Sequence, residues 1–225
     1  MTHLCVAIFV RDVAQAKRDI AAAAEACADM VELRLDHVTD PHMAQALVRD
    51  SVLPCIVTCR PTWEGGYSEL SNEERVQLLL AASGGKTRYI DLELRTFRET
   101  TFTRPESSRF IISTHDFVTR PPRLYQMINE LIEAGGSVNK IVWTSRSVRD
   151  NIEACEILST KQKPTIALCM GEAGLISRVL AKKFGGFLTY ASLEKDTGTA
   201  PGQISIHDMK RLYRWDAIDA YTKVY

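Results

Sequence analysis

Eight short apolar runs recur along this sequence, and segments with helix signals separate them. The runs are residues 4–10, 30–36, 54–59, 89–94, 110–115, 139–143, 165–170 and 187–190. Their length and their content of Val, Ile, Leu and aromatic residues are typical of buried β-strands. The pattern therefore predicts a chain in which eight strands alternate with helices.

The segments between the runs carry helix punctuation. Asp40 followed by Pro41 predicts an N-cap with proline in the first helical position, and Ser71 with Glu74 predicts a capping box. Residues 95–109 give the weakest helix signal and are predicted to be mostly loop. Helices between consecutive strands imply parallel pairing with right-handed crossovers.

Eight strand–helix units are the number that closes a (β/α)8 (TIM) barrel. We therefore predict an α/β fold with a single barrel domain over residues 1–215 and a C-terminal tail or linker over residues 216–225. An open, doubly wound sheet is the alternative. However, the sequence has no glycine-rich phosphate loop after the first run, where such sheets often carry one.

The composition excludes several classes of function. Of 225 residues, 28 are Lys or Arg and 28 are Asp or Glu, so no basic excess points to nucleic acid. No apolar run is long enough to span a membrane, and residues 4–10 lack the basic flank of a signal peptide. We therefore expect a cytoplasmic protein; a plastid location would require that a transit peptide has been removed.

The six cysteines lie mostly in apolar segments, which indicates reduced and buried thiols. Only Cys55 and Cys59 are close in sequence, and no second Cys or His pair completes a zinc set beside them. A metal or redox site there is the weaker interpretation, and we predict no metal.

Two residues suggest the chemistry. Lys140 lies inside one apolar run, and His115 ends the run before it. A lysine in such a run must desolvate its ammonium, which favours the nucleophilic amine, and a nearby histidine can move protons for an imine. The alternative without chemistry is that Lys140 extends from a strand edge to water while His115 is a hydrogen-bonded strand terminus.

Other polar residues follow the rule that barrel active sites lie at the carboxyl ends of the strands. The residues at or just past these ends are Arg34, Arg60, Glu93, His115 and Met170. Lys140 lies earlier in its strand, which places it deeper in the predicted pocket.

With these residues in view, the sequence resembles the type I 3-dehydroquinate dehydratases, which act through a Schiff base. The resemblance covers nearly the whole chain and rests on the order and spacing of seven motifs. They are E-L-R-L-D (32–36), C-R-P-T-W-E-G-G (59–66), Y-I-D-L-E-L (89–94), S-T-H-D-F (113–117), N-K-I-V (139–142), M-G-E-A-G-L-I-S-R (170–178) and T-A-P-G-Q (199–203).

The resemblance implies dehydration of 3-dehydroquinate to 3-dehydroshikimate by syn elimination, in the shikimate pathway of aromatic amino acid biosynthesis and without a cofactor. It implies that Lys140 forms an imine with the C3 ketone. His115 would remove a C2 proton and then protonate the departing C1 hydroxyl, while Glu64 would orient His115 through a hydrogen bond.

The resemblance also implies a set of substrate contacts. Arg178 would bind the carboxylate, and Thr199 and Gln203 would close over the ligand. The family usually has serine where this chain has Thr199, and the added methyl group restricts the rotamers of the retained hydroxyl. Further contacts or pocket walls are implied at Glu32, Arg34, Arg60 and Met170.

Several of these residues also admit a structural role. Glu32, Arg34 and Asp36 alternate along one strand face, as members of an ion network at the barrel rim would. Arg178 lies in a helical pattern, where arginine is usually exposed.

Asp91 and Glu93 also alternate on one strand face, and we interpret them as interior support.

Two other classes of function stay open. A class I aldolase also uses a barrel lysine as its Schiff-base nucleophile, but sugar phosphates require a phosphate site near strands 7 and 8. Gly171 and Gly174 follow strand 7 with Arg178 beyond them, which favours a carboxylate. A non-catalytic scaffold domain of a fused shikimate-pathway protein is the other class, and the complete residue set argues against it.

The C-terminal residues 222–225 (T-K-V-Y) resemble the opening of the shikimate dehydrogenase domain in fused dehydratase–dehydrogenase proteins. An ordinary frayed terminus is the alternative. Besides a small-molecule substrate, the resemblance thus admits a fused or associated shikimate dehydrogenase as a partner. A second copy of the chain, in a homodimer, is the other partner that we consider.

Overall fold

The computed structural model describes residues 1–195 and 198–224, and in them eight strands alternate with eight α-helices. The strands are β1 His3–Phe9, β2 Met30–Arg34, β3 Cys55–Thr58, β4 Thr87–Glu93, β5 Phe110–Asp116, β6 Val138–Thr144, β7 Thr165–Met170 and β8 Leu188–Ala191. The helices are α1 Val13–Glu25, α2 Pro41–Asp50, α3 Asn72–Ala81, α4 Leu94–Glu99, α5 Leu124–Glu133, α6 Val148–Thr160, α7 Leu175–Leu180 and α8 Ile206–Arg211. Short 3-10 turns occur at Thr62–Glu64, Glu172–Gly174 and Trp215–Ala217.

All eight predicted strands are confirmed, and their ends differ from the sequence prediction by no more than two residues. The largest difference near the pocket is in β2, which was predicted to end at residue 36 but ends at Arg34. Asp36 therefore follows the strand, and its carboxylate turns back to bind Arg34. Residues 95–109 are mostly loop, as predicted, because α4 ends at Glu99.

The strands pair in parallel in the order β7-β6-β5-β4-β3-β2-β1-β8. The backbone N–H of Phe187 donates to the carbonyl of Thr165 at 2.8 Å, which brings β8 back to β7. The sheet therefore nearly closes on itself, and the single-domain (β/α)8 barrel is confirmed over the open-sheet alternative.

The caps expected from the sequence are present. Asp40 accepts a hydrogen bond from the backbone N–H of His42, and Pro41 is the first residue of α2. Ser71 and Glu74 form the reciprocal bonds of a capping box at α3. These local bonds satisfy backbone donors that the first turn leaves open, so they set where each helix begins.

The helices pack on the barrel through one apolar face each. In α1 the buried residues are Ala16, Ile20 and Ala23, which recur at helical spacing and face the sheet. No helix in the described part of the chain is long and apolar enough to cross a bilayer.

The cysteines match the sequence expectation with one correction. All six are free, and five of them are buried, but Cys27 is exposed. Cys27 occupies the turn after α1 with a positive φ of 58°, and this turn projects its side chain outward. Within residues 1–195 and 198–224, no group of three or more His, Cys, Asp or Glu side chains could hold a metal ion.

Candidate active site

Ten residues that the sequence singled out line one pocket at the carboxyl ends of the strands. They are Glu32, Arg34, Arg60, Glu64, His115, Lys140, Met170, Arg178, Thr199 and Gln203. Parallel strands bring their carboxyl ends to one rim, so residues far apart in sequence meet there. Their shared location is observed, while their roles stay predictions.

Lys140 lies in β6 with its side chain inside the barrel, and only 4% of the residue is exposed. Its Nζ donates to Oδ2 of Asp91 at 2.8 Å and to the hydroxyl of Tyr190 at 3.0 Å. Oε1 of Glu32 lies 3.5 Å from the same nitrogen. The alternative in which Lys140 extends to water is therefore wrong.

Below the pocket, the ion pairs of Lys140 continue as a buried network. Nη2 of Arg60 lies 2.6 Å from Asp91, and its Nη1 lies 2.8 Å from Glu93. Nη1 of Arg75, a residue of α3, lies 2.7 Å from the other oxygen of Glu93. Asp91 and Glu93 thus provide the interior support expected of them, because each bridges two cations.

This network sets the charge state of its members. Burial alone would raise the pKa of the Asp91 carboxyl, but Arg60, Lys140 and His115 outweigh burial and hold that pKa well below its usual value. Burial alone would likewise lower the pKa of Arg60, whereas Asp91 and the neighbouring glutamates raise it well above its usual value. The Lys140 amine therefore faces a permanent carboxylate at Asp91.

His115 and Glu64 form the second part of the site. Glu64 ends a 3-10 turn after β3, and its Oε1 lies 2.7 Å from Nδ1 of His115. Burial lowers the pKa of the His115 ring well below its usual value, and Arg60 and Lys140 act in the same direction. Burial also raises the pKa of Glu64 to about 8, against the opposing effect of Arg60.

At a pH between the lowered pKa of His115 and the raised pKa of Glu64, both side chains are uncharged. With Glu64 protonated, its hydroxyl donates to Nδ1 of His115; after ionisation, the carboxylate accepts from Nδ1–H instead. The second ring nitrogen, Nε2, has no hydrogen bond to any described residue and belongs to the pocket side. Besides its hydrogen bond to Glu64, His115 therefore has a ring nitrogen left for the pocket, and its role stays a prediction.

Arg34 combines the two roles considered for it. Its Nε and Nη2 donate to the two carboxylate oxygens of Asp36 at 3.1 and 2.6 Å, and its guanidinium lies over the ring of Phe9. Asp36 also accepts from the backbone N–H of Arg60. The expected rim network is therefore present for Arg34 and Asp36, although Arg34 also lines the pocket.

Arg178 departs from the usual exposure of helix arginines, because only 2% of it is exposed although it lies in α7. Burial lowers its pKa to about 10. Its Nε is buried without a hydrogen-bond partner, and Nη2 makes one long bond to the carbonyl of Pro201 at 3.4 Å. Among the described residues, no carboxylate forms a salt bridge with this guanidinium. A buried cation in this state has hydrogen-bond donors left over for an anion.

Thr199 and Gln203 bring the loop after β8 to the pocket. Oε1 of Gln203 accepts from the backbone N–H of Thr199 at 2.6 Å and lies 3.3 Å from its hydroxyl. Both residues were expected to close over the ligand, and they follow residues 196 and 197, which lie outside the described residues. The described part lines the pocket but does not test closure.

The same loop is fixed to the end of β7 by close backbone contact. The N–H of Gly171 donates to the carbonyl of Pro201 at 3.1 Å. Gly202 has φ +72°, and a Cβ there would lie 2.3 Å from the carbonyl oxygen of Gly171. Only glycine fits this approach, so the T-A-P-G-Q motif includes a steric requirement as well as pocket residues.

Sequence reasoning missed two residues of the site. Tyr190 contacts Lys140 from β8, and Arg75 reaches the network from α3, outside the barrel. Period-two alternation could have placed Tyr190 on the inner face of its strand. No local signal distinguishes Arg75 from other helix arginines, because its partners come from other elements.

The comparisons with known proteins agree with this geometry. The model of the family described as type I 3-dehydroquinase matches residues 4–220. The chain belongs to this family. The expected enzyme class, a 3-dehydroquinate dehydratase among the carbon–oxygen lyases, is thereby confirmed, and the aldolase and scaffold alternatives are not supported.

Curated relatives show how far the family resemblance extends. A 3-dehydroquinate dehydratase from Desulfotalea psychrophila is 35% identical, over 83% of this chain and 86% of that protein. A chloroplastic bifunctional 3-dehydroquinate dehydratase/shikimate dehydrogenase from Arabidopsis thaliana is 34% identical over 99% of this chain. The chain spans 38% of that longer relative, so it corresponds to the dehydratase portion only.

Solved structures share the fold. The 3-dehydroquinate dehydratase of Geobacillus kaustophilus superposes with a TM-score of 0.82 at 21% identity, over 99% of this chain and 93% of that one. That of Aquifex aeolicus superposes with a TM-score of 0.76 at 27% identity, over 100% of both chains. The barrel of this dehydratase family is therefore retained at low sequence identity.

Proposed function

We propose that this chain converts 3-dehydroquinate to 3-dehydroshikimate by a syn elimination through an imine on Lys140, in the shikimate pathway. The observation that supports the proposal is the composition of one pocket. It holds a buried lysine amine, a His115–Glu64 pair and the buried cation of Arg178. Nucleophile, proton carrier and anion site are the parts that this reaction needs.

The first step forms the imine. The neutral nitrogen of Lys140 attacks the C3 carbonyl carbon. The carbonyl oxygen takes one proton from this nitrogen and one from solvent and leaves as water, so that the nitrogen keeps one N–H and becomes a positive iminium. The resulting iminium acidifies C2, because the electron pair of a broken C2–H bond can move into the C=N bond as an enamine. Asp91 lies 2.8 Å from Nζ and stays ionised, so it can also stabilise the positive iminium nitrogen.

His115 carries both proton transfers in the elimination. With Nδ1 bound to Glu64, Nε2 accepts the C2 proton while the enamine forms. The nitrogen lone pair of the enamine then re-forms the C=N bond, and the C2=C3 electron pair moves to form a C1=C2 double bond while the C1–O bond breaks. The departing hydroxyl takes the same proton from Nε2 and leaves as water. One histidine serves both transfers only when both groups lie on one face of the ring, which is the syn geometry. Hydrolysis of the conjugated iminium releases the product and restores Lys140.

The remaining residues bind the substrate. Arg178 binds the carboxylate, since its planar guanidinium can donate two parallel hydrogen bonds and pairs with no carboxylate among the residues that the structure describes. Glu32 and Arg34 contact ring hydroxyls at the rim. Arg60 supports the pocket floor, because its guanidinium is already occupied by Asp91, Glu93 and Ser113.

Met170 forms part of the apolar wall, and Thr199 and Gln203 close over the ligand.

Borohydride trapping tests the proposal. We expect incubation with 3-dehydroquinate and borohydride to add one reduced ligand to the peptide that contains Lys140, as read by mass spectrometry. Lys140→Met should abolish both adduct and turnover. Lys163→Met removes a partly buried lysine outside the pocket, whose Nζ binds the carbonyl of Gly136, and should keep both. Labelling of another lysine with Lys140→Met still active would refute the mechanism.

The location, assembly and boundaries of the protein are further proposals. We infer a cytoplasmic enzyme, with residues 1–215 as the barrel and residues 216–225 as a tail or linker. The first residues of this tail pack on the barrel, since Ile218 is buried and the family match reaches residue 220. The bifunctional relative supports a fused or associated shikimate dehydrogenase as a partner. Within the tail motif, Tyr225 lies outside the described residues.

A further inference from the structure

We propose that Tyr190 is a positioning residue, whose hydroxyl orients the Lys140 amine for its attack on the substrate. The inference rests on the proposed imine chemistry at Lys140 and deepens it. It starts from a residue that no motif singled out: Tyr190 lies in β8, which is separated from β6 by β7 alone, and only 5% of it is exposed.

The hydroxyl of Tyr190 lies between the nucleophile and an acidic side chain. It accepts from Nζ of Lys140 at 3.0 Å and donates to Oε1 of Glu32 at 3.5 Å. The same Oε1 accepts a 2.9 Å hydrogen bond from the Thr58 hydroxyl, which fixes the carboxylate from the far side. The phenol oxygen of Tyr190 is thus hydrogen-bonded to Glu32, whose carboxylate is positioned in turn by Thr58.

The three acceptors around Nζ differ in what they can do when the lysine loses its proton. Asp91 and Glu32 are carboxylates, and their hold on Nζ weakens once its positive charge is gone. A hydroxyl is both donor and acceptor, so Tyr190 can keep accepting an N–H from the neutral amine while it donates to Glu32. One N–H fixed towards β8 and another towards Asp91 leave the nitrogen lone pair for the substrate.

The phenol does not itself transfer protons. Burial, together with the nearby carboxylates of Glu32 and Asp91, raises the pKa of Tyr190 well above its usual value. A phenol that resists ionisation cannot act as a base, and its phenolate would face two carboxylates. Its contribution is therefore geometric.

Ring and hydroxyl make separable contributions. The Tyr190 ring lies under the amine, with Nζ 4.5 Å from the ring centroid, a cation–π distance that packing alone would preserve in phenylalanine. Tyr190→Phe keeps the ring and removes only the oxygen, whereas Tyr190→Leu removes both. Tyr89→Phe is the matched control, because Tyr89 lies near the start of β4, outside the pocket, and its hydroxyl has no hydrogen bond among the described residues.

The experiment measures the rate of borohydride-trapped adduct formation at saturating 3-dehydroquinate, beside kcat and KM. One lost neutral hydrogen bond predicts that Tyr190→Phe slows trapping and lowers kcat about three- to tenfold, with KM changed less than about twofold. Tyr190→Leu should be slower still, and Tyr89→Phe should match the wild type. Far-ultraviolet circular dichroism shows that each variant is folded.

Two results would overturn the inference. If Tyr190→Phe traps substrate at the wild-type rate while Tyr190→Leu is slow, the ring acts as packing and the hydroxyl does not position the amine. If trapping is unchanged and only KM rises, Tyr190 binds substrate instead. Wild-type protein that forms no adduct at Lys140 marks the failure of the proposed function, so the two failures are distinguishable.

Discussion

At the scale of single residues, the site depends on side chains whose charges are changed by burial. His115 and Glu64 share a short hydrogen bond, and burial acts against the charged form of both. If the shared proton belongs to Glu64, the ring proton of neutral His115 lies on Nε2; if it belongs to Nδ1, Nε2 is free to accept a proton. The pair therefore couples the ionisation of a glutamate to the basicity of a histidine.

This coupling predicts a pH dependence. Below about pH 8, Glu64 is protonated and donates to Nδ1, so the imidazole proton lies on Nε2, which cannot act as a base. As the pH rises through that value, the carboxylate accepts from Nδ1–H and frees Nε2. We therefore expect kcat/KM to increase with pH up to about 8.

Glu64→Gln tests the assignment. The amide can still accept from Nδ1–H but cannot take up the proton or balance an imidazolium. We expect kcat/KM to fall about ten- to a hundredfold and the increase towards pH 8 to disappear. Glu69→Gln changes an exposed glutamate of the same loop and should keep the wild-type profile. Persistence of the rise in Glu64→Gln would assign it to another group.

At the scale of elements, helix α3, which lies outside the barrel, stabilises the ion network beneath the pocket. Arg75 of α3 is fully buried and donates to the carbonyl of Cys59, to Glu93 and to Thr96. It thereby joins the end of β3 to the end of β4. The floor of the pocket therefore depends on how α3 packs.

Arg75→Met should destabilise the fold, because Glu93 would keep only Arg60 as its cation. Breaking a buried ion pair from one side typically costs about 3–5 kcal/mol. We expect a loss of that size in the free energy of unfolding in urea. Arg149→Met, on the exposed face of α6, should change it by less than about 0.5 kcal/mol. Equal losses in the two variants would show that the network contributes nothing specific.

At the scale of the whole molecule, basic and acidic residues are equal in number, and some of each are buried inside the barrel instead of lying on the surface. The 28 basic and 28 acidic residues cancel, yet several of each sign lie inside the barrel. Buried carboxylates of this kind link global stability to pH, because they must stay ionised to compensate the cations beside them.

Asp91 makes this link testable. Its pKa is depressed in the folded state, so its contribution is complete above the unfolded value of 3.8 and is lost as the pH falls below it. Asp91→Asn should therefore be less stable than wild type by about 3 kcal/mol at pH 7, and the difference should narrow below pH 4. The free energy of unfolding at several pH values measures both effects.

Glu133→Gln is the control for this series, since Glu133 is an exposed carboxylate at the end of α5. It should change the free energy of unfolding by a few tenths of a kcal/mol at either pH. A gap between wild type and Asp91→Asn that stays constant down to pH 2 would contradict the linkage.

Local sequence patterns specify the order of the elements and which residues lie at strand ends. Strand and helix periodicity, the cap at Asp40 and the capping box at Ser71 depend on neighbours a few residues away, so they can be read locally. Eight such units imply barrel closure, and closure brings predicted residues such as Lys140 and His115 to one rim.

The pairing of those residues, in contrast, follows from the three-dimensional fold. Each of the following features depends on elements that are distant in sequence: the burial of Arg178, the contact of Tyr190 with Lys140, and the hydrogen bond from Arg75 of α3 to Glu93. These distances depend on the strand register, the barrel closure and the packing of helices, which no local pattern encodes. Local periodicity shows which side of its element a residue faces, but the partner on that side is set by the fold.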